Sequence, residues 1–231
     1  MDNFENLKKQ LSIMMNLFQT KRFNSLIDKG RVLVKKFPDQ AIFHNITSLA
    51  YMAIDKNNEA KNLLLKMLKR EPENISVLNN LGLASVKCGE NDEAEKYYNR
   101  ALKLKPDFLD VLVNFGNLKL KINKSEEAKD FFIKAIKINS QITPAKISLA
   151  GYYEQSGNFV KAKEIYNEIT KDDPNYTAAD KSLSLIHKYK LDDNHIKTME
   201  EKFSNNLSDE NKKWLGFALG KAYEDIGDYK K

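Results

Sequence analysis

The side chains with most to offer a ligand are asparagines that recur at one spacing. Asn80 and Asn114 stand 34 residues apart, as do Asn45 and Asn79, and Asn117 follows three places after Asn114. A primary amide carries both donors and an acceptor, so a row of amides can pair with the backbone of an extended peptide without demanding a side-chain sequence. With Leu83 and Lys121 these five residues make up a candidate partner-binding groove. The competing reading is asparagine tolerated on a solvated helix face in an Asn-rich chain.

Catalytic chemistry finds less support. The sequence has no His-Glu-X-X-His, no Gly-X-Ser-X-Gly and no dinucleotide fingerprint. The segment Gly216–Lys221 comes near a phosphate loop, but it is one residue short, is followed by Ala222 in place of Ser or Thr, and sits in a helical pattern with no preceding strand. His44, His187 and His195 have no partners at metal-ligand spacing, and the single cysteine, Cys88, excludes an internal disulfide. No catalytic residue, cofactor or metal is expected. Asn-X-Ser/Thr sequons at Asn45, Asn74, Asn123, Asn175 and Asn206 follow from the abundance of asparagine.

The elements that position these residues are set by a repeat. Counting Ile75 as position 1, a large apolar residue stands at 4 (Leu78), Leu81 and Gly82 at 7 and 8, Gly89 at 15, Ala94 at 20, Tyr98 at 24, Ala101 at 27 and Pro106 at 32. The prolines Pro38, Pro72, Pro106 and Pro174 share this register, with Ser140 in the one skipped place. The units 41–72, 109–140 and 143–174 repeat the pattern with Ala60 and Leu64, Ala128 and Phe132, and Ala162 and Tyr166. Position 15 holds Asp55, Gly89, Asn123 and Gly157, residue types that tolerate the left-handed backbone between two helices. Proline at 32 ends the second helix. Small residues at 8 and 20 let the two helices approach, and bulky ones fill the space around that contact.

These residues resemble the tetratricopeptide repeat, strongly over 38–174 and weakly over 4–37, where Leu26 and Gly30 replace the expected Ala and aromatic. The resemblance implies an all-α fold in which antiparallel helix pairs stack into a right-handed superhelix, with the first helices lining a concave groove that binds peptides or protein surfaces. Asn80 and Asn114 are then similar to a short version of the asparagine ladder of O-GlcNAc transferase. A chaperone-type carboxylate clamp is not expected, because its lysine position holds Asn45, Asn79, Val113 and Ile147. Leu49, Met52, Leu83, Val86 and Leu120 form either an apolar strip for a partner or packing between neighbouring repeats.

After Pro174 the register loosens, and 175–231 reads as divergent helices and a truncated repeat. Thr177–Lys190 has helical spacing, Asp193 or Asn194 can cap a short helix to about Ser204, and Ser208 opens another. Leu219, Gly220, Tyr223, Gly227 and Tyr229 restore positions 7, 8, 11, 15 and 17, and the sequence stops at position 19. Leu219 and Tyr223 are therefore expected to lack a packing partner and to offer an open face for self-association. The stretches His195–Glu201, Leu207–Glu210 and Phe217–Tyr229 resemble the junction in bacterial tetratricopeptide-containing sulfotransferases, which use 3′-phosphoadenylyl sulfate. That resemblance implies a substrate-recruiting arm for a catalytic domain not contained in these residues.

Composition bounds the remaining classes. Of 38 basic residues only Arg22, Arg31, Arg70 and Arg100 are arginine, and the net charge of +6 lies on Lys/Glu-alternating helix faces, so nucleic acid is not an expected partner. Neither a membrane-length apolar run nor a secretory h-region is visible, which points to a cytoplasmic chain. The expected partner is a protein, a peptide or another domain of the same chain.

Overall fold

The computed structural model describes residues 3–205 and 207–228. Tyr229 and the Asn206 sequon lie outside the described residues, as does the side chain of Phe4. Among the described residues every regular element is an α-helix, as expected, and the chain divides into two compact units, 1–122 and 123–231.

The first unit holds α1 (Asn3–Gln19), α2 (Phe23–Lys36), α3 (Ala41–Ala53), α4 (Asn57–Arg70), α5 (Ile75–Lys87), α6 (Asn91–Leu104) and α7 (Leu109–Lys121). Consecutive helices pack on one another, and the first helices of neighbouring repeats touch directly, α3 on α5 and α5 on α7. Chain reversal is local chemistry. Lys21, Asp55, Gly89, Asn123 and Gly157, each 34 residues after the last, all adopt positive φ between 55° and 82°. The degenerate first unit therefore keeps the left-handed turn even though it spends a lysine on it. Second helices end where proline requires: the C-cap residues Phe37, Glu71, Lys105 and Asp173 each precede a proline and leave helical geometry, with φ between −122° and −144°.

Packing follows the repeat positions. Ala60 and Ala94 at position 20 are fully buried, as are Leu64 and Tyr98 at position 24. Each such large side chain removed from water contributes about 1.5–3 kcal/mol. The Tyr98 hydroxyl is buried without a hydrogen-bond partner, and burial pushes its phenol far above the usual tyrosine range. At Gly30, where an aromatic is missing, a Cβ would lie 2.1 Å from Thr47 Oγ1. Glycine there lets α3 come against α2, which is a physical reason for the departure from the repeat pattern.

The second unit holds α8 (Ser125–Ile138), α9 (Thr143–Gln155), α10 (Phe159–Asp172), α11 (Thr177–Ile186), α12 (Asn194–Ser204) and α13 (Asp209–Ile226). Ala128, Phe132, Ala162 and Tyr166 are buried in the same roles. Helix α11 stops at Ile186, short of the expected Lys190. Asp193 caps α12 by accepting from the backbone of His195, and Ser208 caps α13 by accepting from Asn211. Thr177 Oγ1 donates to Asn211 O at 3.0 Å near the start of both helices, and Lys188 Nζ, just past α11, reaches Asp225 Oδ1 at 2.8 Å near the end of α13. Helices α11 and α13 thus run parallel, one repeat apart, although the sequence register between them is lost.

The expectation that Leu219 and Tyr223 lack a partner is corrected. Leu219 is buried with Ile196 and Met199 of α12, and the Tyr223 hydroxyl donates to Glu200 Oε1 at 2.5 Å. Helix α12 covers them with Ile196, which stands at position 20 of its unit where a small residue is expected, and with Met199.

Candidate partner-binding groove

Within the first unit, positions 5 and 6 of successive first helices meet. Asn80 Nδ2 donates to Asn45 Oδ1 and Asn114 Nδ2 donates to Asn79 Oδ1, both at 3.0 Å. Asn45, Asn79 and Asn80 are buried and Asn114 is half-buried. The amides are turned on one another, and their donors run from repeat to repeat, α5 to α3 and α7 to α5. Each pair holds two first helices at a set distance and phase. A buried amide is stable only when its polar atoms are matched, so the pairs also specify register.

The other candidate residues surround this ladder. Leu83 is half-buried, and Asn117 and Lys121 are exposed. Lys121 Nζ donates to Val86 O at 2.9 Å, the C-terminal end of α5, where a carbonyl and the helix dipole both favour a cation. Ile42 is exposed at 44% and Leu49 is half-buried on α3, at the same side of its helix as Leu83 on α5. Leu49 and Leu83 pack against the buried core of this unit, and Ile42, Lys87, Asn117 and Lys121 are exposed on α3, α5 and α7.

The histidines and the cysteine fall elsewhere. His44 is buried with Nδ1 against Gln40 O, and burial lowers its pKa. Burial likewise pushes the Cys88 thiol up, with Glu90 adding to it, so the sulfur is a poor nucleophile. Among the described residues no group of three or more His, Cys, Asp or Glu side chains is placed to hold a metal ion. Gly216–Lys221 lies inside α13, with Lys221 paired to Asp225, and is no phosphate loop.

A buried polar cluster in the second unit escaped the sequence reading. Asp180, fully buried on α11, accepts from Lys202 Nζ at 2.9 Å and faces His195 Nε2 at 3.0 Å; His195 Nδ1 faces the Tyr189 hydroxyl at 2.8 Å. His187 Nε2 meets Asp193 Oδ2 at 2.6 Å. The available signal was Asp180 itself, an acid at position 4, where the four earlier units hold His44, Leu78, Leu112 and Lys146. An Asp–His–Tyr chain can relay a proton, but Tyr189 is 3% exposed and burial pushes its phenol well up. Asp180 and Tyr189 are buried and His187 is partly exposed, and the bonds from Asp180 to His195 and Lys202 tie α11 to α12.

Residues 75–108 and 109–142 each match a family model described as tetratricopeptide repeat. Residues 75–142 carry tetratricopeptide repeats. Solved structures agree with that fold. A thermophilic tetratricopeptide repeat protein of Thermus thermophilus superposes with a TM-score of 0.72 at 14% identity, covering 78% of this chain and 97% of its own. Pseudomonas aeruginosa pilF gives a TM-score of 0.64 at 17% identity over 96% and 94%. Yeast Tom70 gives 0.68 at 17% identity over 87% of this chain and 43% of its own. The search of curated proteins found no match. No helix among the described residues is long and apolar enough to cross a membrane.

Proposed function

We propose that the chain is a non-catalytic scaffold that binds an extended peptide or a protein segment along α3, α5 and α7. The observation that carries this reading is the pair of inter-repeat amide bonds, Asn80 to Asn45 and Asn114 to Asn79. They fix the spacing of three first helices and so hold Ile42, Leu49 and Leu83 as a preformed strip. A preformed surface binds with less ordering cost than one that must assemble. In this reading the asparagines shape the groove, while Leu83, Asn117 and Lys121 meet the partner.

Selection of peptides from a random displayed library against the chain tests it. Leu83→Asp and Ile42→Asp are expected to abolish capture of the selected peptides, and Lys96→Asp on α6 to leave it unchanged. Peptides that bind all three variants equally would place recognition elsewhere.

A second reading makes these repeats the recruiting arm of a sulfotransferase. It rests on the tail resemblance of His195–Glu201, Leu207–Glu210 and Phe217–Tyr229, and the matching family models lie outside that stretch. Its test is sulfate transfer from labelled 3′-phosphoadenylyl sulfate by the chain extended through whatever its gene encodes downstream; a gene with no such domain removes the reading.

A further inference from the structure

Helix α13 keeps one face open. Lys213, Gly216, Phe217, Gly220 and Glu224 are all exposed and follow one another at helical spacing, and Phe217 is exposed at 59%. The face lies between two grooves. One, of about 710 Å³, runs along Phe203, Gly216 and Gly220; the other, of about 580 Å³, along Leu185, Phe217 and Gly220. Phe203 and Leu185 are themselves exposed at 43% and 63%, so the apolar surface is continuous across three helices. A Cβ built on Gly220 meets nothing within 4 Å, which leaves a hollow beside the protruding Phe217 ring.

The order of residues along this face says what fits it. Its basic end is Lys213 and its acidic end is Glu224, whose ion pair with Lys221 is a loose 3.6 Å, Lys221 itself being held mainly by Asp225. In an antiparallel helix pair, residues equidistant from the two-fold axis face each other. Lys213 and Glu224 are centred between Ala218 and Leu219, and so are Phe217 and Gly220. One axis therefore brings Lys213 against Glu224 of the second copy and seats Phe217 on Gly220 of the second copy, each twice. Charge and shape are self-complementary about a single point.

We propose that this face of α13 is a homodimer interface, its occupant α13 of a second copy in antiparallel register. The proposal uses other helices than the peptide groove and does not depend on it. The Phe217 rings supply the attraction, the Gly220 hollows set the approach, and the Lys213–Glu224 pairs fix the direction.

Sedimentation equilibrium of the whole chain over a wide concentration range tests it. The wild type is expected to shift from one mass to twice that mass as concentration rises. Phe217→Asp and Lys213→Glu are each expected to weaken the dimer by about tenfold or more, with circular dichroism unchanged because both side chains are exposed. Lys213→Glu combined with Glu224→Lys restores opposite charges across the axis and is expected to recover affinity to within about threefold of wild type. A wild type that stays monomeric throughout, because the face takes another partner or none, overturns the proposal. A dimer indifferent to Lys213→Glu, or a charge swap that fails to rescue, overturns it as well.

Discussion

The Tyr98 ring of α6 lies directly over Gly82 of α5, so closely that a Cβ on Gly82 would fall 2.4 Å from ring Cε1 and 2.6 Å from Cζ. The ring has nowhere to retreat, since its centroid also lies 5.5 Å from that of the Phe115 ring of α7, the two planes tilted by 33°. Gly82→Ala gains about 1 kcal/mol of helix propensity. Against this stands an overpacking cost of about 1–3 kcal/mol, and the clash with a confined ring puts it at the upper end. A net loss of denaturation midpoint is expected in urea titration; a midpoint that rises would show that α5 and α6 can separate.

The same tyrosine carries a hydroxyl that is buried without a partner. Phe132 fills the equivalent position in the next repeat without one. Tyr98→Phe removes an unmatched polar group and keeps the ring, and is expected to stabilise by about 1–2 kcal/mol. Ala94→Leu, beside the same helix contact, has the opposite sign, at about 1–3 kcal/mol of loss. The two variants compared by thermal unfolding check the packing at position 24 against that at position 20.

Much of this architecture was legible because it is local. Gly89, Ala94 and Tyr98 announce turn, close approach and filler within one repeat, and each does what its position implies. What stayed hidden depends on how separate elements meet. Asn80 and Asn114 are visible as a row, but whether their amides turn outward or to Asn45 and Asn79 depends on the rotation of one first helix against the next. Leu219 reads as uncovered because the repeat pattern assigns its cover to the second helix of its own unit, and Ile196, at position 20 of the preceding unit where a small residue is expected, gives no sign that it fills that role. Asp180 stands alone in sequence; its counterparts His195 and Lys202 arrive from another helix.

Two glycines separate backbone strain from helix propensity. Gly89 has φ +82° and Gly151 sits inside α9, and an added Cβ meets nothing within 4 Å at either. Gly89→Ala is expected to destabilise by about 1 kcal/mol, because alanine is strained in the left-handed region. Gly151→Ala is expected to stabilise by about 0.5–1 kcal/mol. Shifts of the same sign in parallel urea titrations would show that one of the two backbones has been assigned incorrectly.

The amide ladder is testable as a coupling. Asn80→Ala removes the donor to Asn45, and Asn45→Ala removes the acceptor, so the double variant loses one bond and not two. A double-mutant cycle is expected to give about 0.5–1.5 kcal/mol of interaction energy. The same cycle on Asn79 and Asn114 is expected to match it, since that bond has the same length. Strict additivity at both pairs would mean that the amides bond to water instead, and the groove would lose its ruler.

Asp225, whose side chain is 2% exposed, is one of the carboxylates through which acid acts on the second unit. Its carboxylate accepts from Lys188 at 2.8 Å, from Lys221 at 2.5 Å and from the Tyr189 backbone at 3.3 Å. Lys188 foremost, and Lys221 with it, hold its pKa well below the usual carboxylate range. The folded pKa lies under the unfolded one, so the ionised form is what stabilises the fold. That contribution is present in full above about pH 4 and is lost as pH falls through the folded pKa. Asp225→Asn keeps an acceptor for Tyr189 but loses both charge-assisted bonds, and is expected to lower the melting midpoint at pH 7 by about 2–4 °C. The gap between wild type and variant is expected to narrow as the solution is acidified below about pH 4, because protonation costs the wild type the same two bonds. A gap constant in pH would mean that the lysines do not hold this carboxylate in solution, and that α13 is secured to α11 by its other contacts, the Thr177–Asn211 hydrogen bond among them.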